Sequence, residues 1–191
     1  MERSQEELTL LREIAAGNGQ ALEKFYARFG SALLSYLMAW LGDRQQAEEV
    51  LQDVMLAVWD HAGEFRGESS VYTWLLVIAR NRAMNAQRKF QPDNVPLDDR
   101  ETLASPDTGP QEAAERKVAA TTVRKALTEL PEHQREVLVL TFYHHLSGQE
   151  IADMLGVSIG TVKSRLSRAK EALRHVLQNY GAAGLQAGSA R

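Results

Sequence analysis

Positive charge is concentrated in residues 159–175, which carry five basic side chains and one acidic side chain. The cluster is a local feature, because the chain as a whole has a formal net charge of −3. Lysine and arginine side chains contact the phosphates and base edges of nucleic acids. The chemistry that this stretch predicts is therefore nucleic-acid binding.

A helix-turn-helix pattern positions these cations. Ser147, with Glu150 three residues later, is typical of a capping box that starts a helix. Gly156 can supply the left-handed conformation that ends this helix, and Ser158 can cap the next one. Apolar residues recur along the second helix at steps of three and four and predict one buried stripe: Ile159, Val162, Leu166, Ala169 and Leu173.

The opposite face of this second helix is small and polar. Thr161, Ser164 and Arg168 point away from the stripe when each residue turns the helix by about 100°. Ser167 lies on a flank, and Lys163 lies nearer the edge of the stripe. Small residues allow a helix to enter the major groove, while cations contact bases or phosphates. We predict that this face binds DNA.

A second basic segment lies in the N-terminal half. A helix predicted to start after Ser69 or Ser70 and to run to about Lys89 carries four basic residues and no acid in its second half. The loop before it contains Phe65 and Arg66. Cations that follow the phosphates beside an aromatic side chain are typical of a surface that binds single-stranded nucleic acid.

The helix predicted over residues 45–62 has an acidic and polar outer face, formed by Glu48, Glu49, Gln52 and Asp53. These carboxylates do not indicate catalysis, because helical spacing alone brings them together, and His61 lies about two turns beyond Asp53. The chain has no cysteine. We expect no enzymatic activity, no metal site and no cofactor.

All predicted elements are helices, which predicts an all-α protein of two small helical domains joined by an acidic flexible linker. Residues 92–115 hold seven acids and one base, and four of the five prolines lie in this stretch. The predicted parts are domain 1–91, linker 92–111, domain 112–180 and a disordered tail, 181–191. The N-terminus does not resemble a signal peptide, and no apolar run approaches the roughly 20 residues of a membrane span. We expect a cytoplasmic protein.

Three segments, in this order, resemble the σ70 family of RNA polymerase sigma factors, in its extracytoplasmic-function (ECF) group. AEEVLQDVMLAVW, residues 47–59, resembles the polymerase-docking part of the sigma-2 domain. FRGESSVYTWLLVIARNRAMNAQRK, residues 65–89, resembles the part that melts the promoter and reads its −10 element. The segment that begins LPEHQREVLVL, residues 130–173, resembles the sigma-4 domain, which reads the −35 element.

The resemblance implies a transcription initiation factor whose partners are core RNA polymerase, promoter DNA and an anti-sigma factor. On the polymerase it implies contacts with the β′ clamp coiled coil and the β flap, while the linker would run toward the RNA exit channel. The residues implied in docking are Glu49, Leu51, Gln52 and Asp53. Those implied at the −10 element are Phe65, Arg66, Ser69, Ser70, Arg80, Asn81 and Arg88. Those implied at the −35 element are Thr161, Lys163, Ser164, Ser167 and Arg168.

One position departs from the family pattern: Val77 stands where many relatives place a polar or basic residue. The main alternative is an ordinary regulator with a helical sensor domain, which would bind duplex DNA by itself as a dimer. The basic helix with Asn81 and the acidic linker argue against it. A protein that only sequesters a partner is a further alternative. A helical hydrolase is the least favoured, since no P-loop, metal-ligand cluster or nucleophile motif supports it.

Overall fold

The computed structural model describes residues 2–89, 121–123 and 125–188. Within these ranges every regular element is helical, which confirms the all-α prediction. The predicted acidic linker, residues 92–111, lies outside the described residues. The helices fall into two compact units, an N-terminal unit with α1–α4 and a C-terminal unit that includes α5 and α7. The elements are α1 (Glu2–Ala15), α2 (Gly19–Leu41), α3 (Arg44–His61), a 3₁₀ turn (Ala62–Glu64), α4 (Val71–Lys89), a helical segment at 121–123 and 125–128, α5 (Glu132–Leu138), a π-helical turn (Val139–Tyr143), α6 (Gly148–Leu155) and α7 (Ile159–Gly188).

Local capping sets the ends of the helices in the N-terminal unit. The Asn18 side chain accepts hydrogen bonds from the backbone N–H groups of Gln20 (3.0 Å) and Ala21 (3.3 Å), which starts α2. Gly42 ends α2 with a φ of +74°, a conformation that glycine adopts without strain. The Asp43 carboxylate then accepts from the N–H of Gln46 at 2.7 Å and starts α3. These caps let α2 and α3 reverse direction within two residues and pack together.

The core of the N-terminal unit forms between α2, α3 and α4. The helical spacing of α3 predicts an inward face, and all five of its residues are buried: Ala47, Val50, Leu51, Val54 and Val58. The other large buried side chains come from α2 and α4 and include Phe25, Leu33, Leu37, Leu75 and Leu76. Ion pairs link α1 to α2, because Arg28 of α2 contacts Glu6 at 3.1 Å and Glu7 at 2.9 Å, both on α1. The outer faces of α3 and α4 are therefore presented by a packed helical scaffold.

The helix-turn-helix of the C-terminal unit has the caps that its sequence predicts. The Glu150 carboxylate accepts from the Ser147 hydroxyl at 2.7 Å and from its N–H at 2.9 Å, while the Glu150 N–H donates to the Ser147 hydroxyl. Gly156 has a φ of +64°. The Ser158 hydroxyl accepts from the N–H of Thr161 at 3.1 Å, which starts α7. The capping box and the turn are confirmed.

Three features of the C-terminal unit differ from the prediction. The sequence predicts one helix over residues 132–144, but the structure changes to a π-helical turn after Leu138. Ile159, predicted to lie in the buried stripe, is 42% exposed at the first residue of α7. Helix α7 continues to Gly188, whereas residues 181–191 were predicted to be disordered. Extending an existing helix fixes one residue per hydrogen bond and avoids the cost of starting a new helix.

Candidate nucleic-acid interface

The predicted DNA-binding face of α7 is largely exposed. Lys163, Ser164, Ser167 and Arg168 are all exposed, so four of the five predicted residues are available to a ligand. Thr161 is half-buried, and its hydroxyl lies 2.9 Å from the hydroxyl of the capping residue Ser158. Thr161 therefore helps to fix the first turn of the helix.

An open cleft lies along this face. Its lining includes Thr161, Ser164, Arg165 and Arg168 of α7, together with His133 of α5. No carboxylate occurs among the described residues that line it. Hydrogen-bond donors and cations thus converge on one surface, which suits an anionic ligand. The sequence analysis did not assign His133 to this face, because only the packing of α5 against α7 brings it close to the polar residues of α7.

The loop that precedes α4 is tied to the helix. The Ser70 hydroxyl accepts from the N–H of Thr73 at 3.0 Å and lies 2.8 Å from its hydroxyl, so Ser70 caps α4. Phe65 is half-buried and meets Trp74 edge to face, with ring centroids 5.4 Å apart. Ser69 is exposed and donates to the Ser70 carbonyl. Phe65 and Ser70 therefore anchor the loop.

The predicted residues in the basic half of α4 differ in their exposure to solvent. Asn81 and Arg88 are exposed on α4, and Arg66 is exposed in the loop. Arg80 is half-buried, with its guanidinium 5.9 Å from the centre of the Trp40 ring. Arg80 is thus held against an aromatic side chain, whereas Arg66, Asn81 and Arg88 are exposed.

The two faces of α3 have different environments. Glu49, Gln52 and Asp53 are exposed, as the prediction requires. Leu51, however, is only 3% exposed, so its side chain packs in the core and is not available for direct contact. The sequence analysis also missed two exposed apolar side chains on α3, Leu56 at 62% exposure and Trp59 at 37%. The sequence analysis assigned no role to either side chain, and the packing shows that both stay outside the core.

In the part of the chain that the structure describes, no group of three or more His, Cys, Asp or Glu side chains is placed to hold a metal ion. His144 is 5% exposed, and its pKa is lowered to about 4, first by burial and then by the neighbouring His145. It is therefore neutral near pH 7. No helix in the described ranges is long and apolar enough to span a bilayer.

Comparisons with known proteins identify two family regions in this chain. Residues 25–91 match the Sigma-70 region 2 family, and residues 121–173 match Sigma-70, region 4. The RNA polymerase sigma-H factor of Pseudomonas aeruginosa is 31% identical over 178 residues, covering 88% of this chain and 92% of that protein. The ECF RNA polymerase sigma factor RpoE of Cereibacter sphaeroides is 34% identical, covering 81% of this chain and 84% of that protein.

Solved structures share the fold. CnrH, solved in complex with the cytosolic domain of CnrY, aligns with a TM-score of 0.68 and 26% identity over 91% of this chain and 98% of its own. The sigma factor RpoE of Bartonella quintana, solved with the anti-sigma factor NepR, aligns with a TM-score of 0.67 and 24% identity over 82% of this chain and 96% of its own. With matches to both sigma regions and full-length relatives above 30% identity, the chain belongs to the σ70 family of RNA polymerase sigma factors, in its ECF group.

Proposed function

We propose that this protein directs core RNA polymerase to promoters by reading the −35 element with α7 and the −10 element with α4 and the loop before it. The observation that carries the proposal is the exposed polar face of α7 in a chain that also presents the polar, basic half of α4. At the −35 element, the residues proposed to contact the duplex are Thr161, Lys163, Ser164, Ser167 and Arg168.

At the −10 element we assign two kinds of role. Arg66, Ser69, Asn81 and Arg88 are exposed and would contact the single strand directly. The second group would hold this surface in shape. Phe65 packs against Trp74, Ser70 caps α4, and the Arg80 guanidinium lies against the Trp40 ring. Taking a base out of the stack costs a few kcal/mol, so preorganised contacts to base and backbone must offset it.

The outer face of α3 is proposed to dock on the clamp coiled coil of the β′ subunit. Glu49, Gln52 and Asp53 supply polar contacts, and Leu56 and Trp59 add exposed apolar area beside them. Leu51 would support this face from the core. The C-terminal unit is proposed to contact the β flap, which would hold the −35-reading helix on the polymerase.

Regulation and location belong to the same proposal. We propose that an anti-sigma factor holds the protein inactive in the cytoplasm. The likeness to CnrH, which was solved with the cytosolic domain of CnrY bound, supports control by a protein partner. The chain itself acts by binding, and the polymerase carries out RNA synthesis.

Transcription in vitro from a promoter library, with purified core RNA polymerase, tests the proposal. Addition of the protein should yield promoter-specific transcripts that Asn81→Ala or Arg168→Ala greatly reduces. Asn179→Ala and Arg174→Ala are matched controls, because both residues are exposed on α7 outside the assigned surfaces, and they should leave transcription unchanged. Absence of stimulation, combined with tight duplex binding by the protein alone, would favour an ordinary regulator instead.

A further inference from the structure

His133 lies beside the proposed −35-reading face but belongs to a different helix. It is exposed at the start of α5 and lines the same cleft as Ser164, Arg165 and Arg168 of α7. Helices α5 and α7 pack against each other, so the ring is carried by a firmly attached element. A side chain in this place can contact the DNA backbone beside the groove that α7 enters.

The charges around the ring favour an anionic ligand. Arg165 and Arg168 are the charged residues that line the cleft from α7. On its own helix, Glu132 precedes His133, and Arg135 and Glu136 follow it. The cleft therefore offers a backbone phosphate an imidazole beside two guanidinium groups.

We propose that His133 is a further DNA contact of this protein and that it binds a backbone phosphate at the −35 element as the imidazolium. This inference rests on the proposed function, since it requires α7 to enter the groove. Histidine changes its charge within the range from pH 5 to pH 8. The contact therefore couples promoter affinity to pH: it adds a phosphate contact at pH 6 and loses the ionic part of that contact at pH 8.

The salt dependence of binding separates this role from a structural one. Each phosphate that a cation neutralises steepens the fall of log K with log salt by about 0.9. At pH 6, the full-length protein in holoenzyme should therefore show a slope about 0.9 steeper than its His133→Gln variant, and about threefold to tenfold tighter binding. At pH 8 the two proteins should have the same slope.

The experiment measures holoenzyme binding to a fluorescein-labelled promoter duplex recovered from the library selection, between 50 and 200 mM salt in the range where such slopes are resolved. His133→Lys should keep the steep slope at both pH values, because its charge is permanent over this range. His175→Gln, at an exposed histidine of α7 outside the cleft, should behave like the unmodified protein. Parallel salt dependence of His133→Gln and the unmodified protein at pH 6 would overturn the inference.

Arg168→Ala distinguishes failure of this inference from failure of the proposed function. If α7 reads the −35 element, this variant weakens promoter-specific binding at both pH values. Loss in Arg168→Ala with no effect of His133→Gln would reject the histidine contact alone. Normal promoter binding by Arg168→Ala would reject the assigned reading face, and the histidine contact with it.

Discussion

His144 shows how one buried side chain couples stability to pH. Its pKa is lowered to about 4 because burial disfavours the charged ring, and His145 adds a smaller effect. The unfolded chain takes up this proton near the ordinary histidine pKa of about 6.5. Between these two values the unfolded state binds more protons than the folded state, so stability falls as the pH falls.

We predict that acidification from pH 7.5 to pH 5 destabilises the C-terminal unit by about 2 kcal/mol through His144. His144→Gln should remove most of this loss, whereas His175→Gln, at an exposed position, should retain it. Hydrogen exchange of the α5–α6 segment at the two pH values measures the change. An equal loss in His144→Gln and the unmodified protein would contradict the assignment.

Ser69 and Ser70 are adjacent residues with different environments. Ser70 accepts from the N–H of Thr73 and caps α4, while the Ser69 hydroxyl only donates to the Ser70 carbonyl. Ser70→Ala should lower the free energy of unfolding of the N-terminal unit by about 1 kcal/mol, and Ser69→Ala should change it by less than about 0.5 kcal/mol.

Tryptophan fluorescence during urea unfolding measures this difference, because Trp40, Trp59 and Trp74, the three tryptophans of the chain, all belong to the N-terminal unit. Equal destabilisation by the two substitutions would show that the cap does not act as described. A promoter defect in Ser69→Ala without a stability change would support direct contact of Ser69 with the −10 strand.

At the scale of elements, α3 has a core face and an exposed face that we propose docks on core polymerase. Leu51 is buried and Leu56 is exposed, although both are leucines on the same helix. Leu51→Ala should cost about 2–5 kcal/mol of stability through the cavity it leaves. Leu56→Ala should leave stability within about 0.5 kcal/mol and weaken binding to core polymerase.

Urea unfolding and a core-polymerase binding titration, run on both variants, test this division. Full affinity of a stably folded Leu56→Ala variant for core polymerase would show that Leu56 does not belong to the docking face.

The helices themselves could be predicted from the sequence because their start and stop residues act locally. Ser147 with Glu150, and Gly156 with Ser158, need no distant partner to define the helix-turn-helix. The exposure of single residues at the surfaces could not be predicted in the same way. Ile159 belongs to the predicted buried stripe of α7 and yet is 42% exposed, and Leu56 and Trp59 of α3 are exposed although both are apolar.

The site was predictable only where its residues are close in sequence. The polar face of α7 could be identified from its periodicity, but His133 reaches it through packing between two helices. The environment of Arg80 could not be predicted either, since its contact with Trp40 joins α4 to α2. Contacts between elements depend on the tertiary arrangement, which local spacing does not encode.

At the scale of the whole molecule, charge is divided along the chain. Residues 1–91 hold ten bases and twelve acids, residues 92–115 hold one base and seven acids, and residues 116–191 hold eleven bases and six acids. The net charge of −3 is therefore the sum of a basic C-terminal part and more acidic preceding parts. This division fits a chain that contacts promoter DNA through two separate modules.

The central claim is that these modules read different promoter elements, and a base-substitution scan of one selected promoter tests it most directly. Transcription by holoenzyme would be measured on every single substitution in the −35 and −10 elements, with the unmodified protein, Arg168→Ala and Asn81→Ala. We predict that Arg168→Ala flattens the response to −35 substitutions and keeps the response at −10, and that Asn81→Ala does the opposite. If both variants lowered transcription by the same factor on every template, the claim of separate reading would be contradicted.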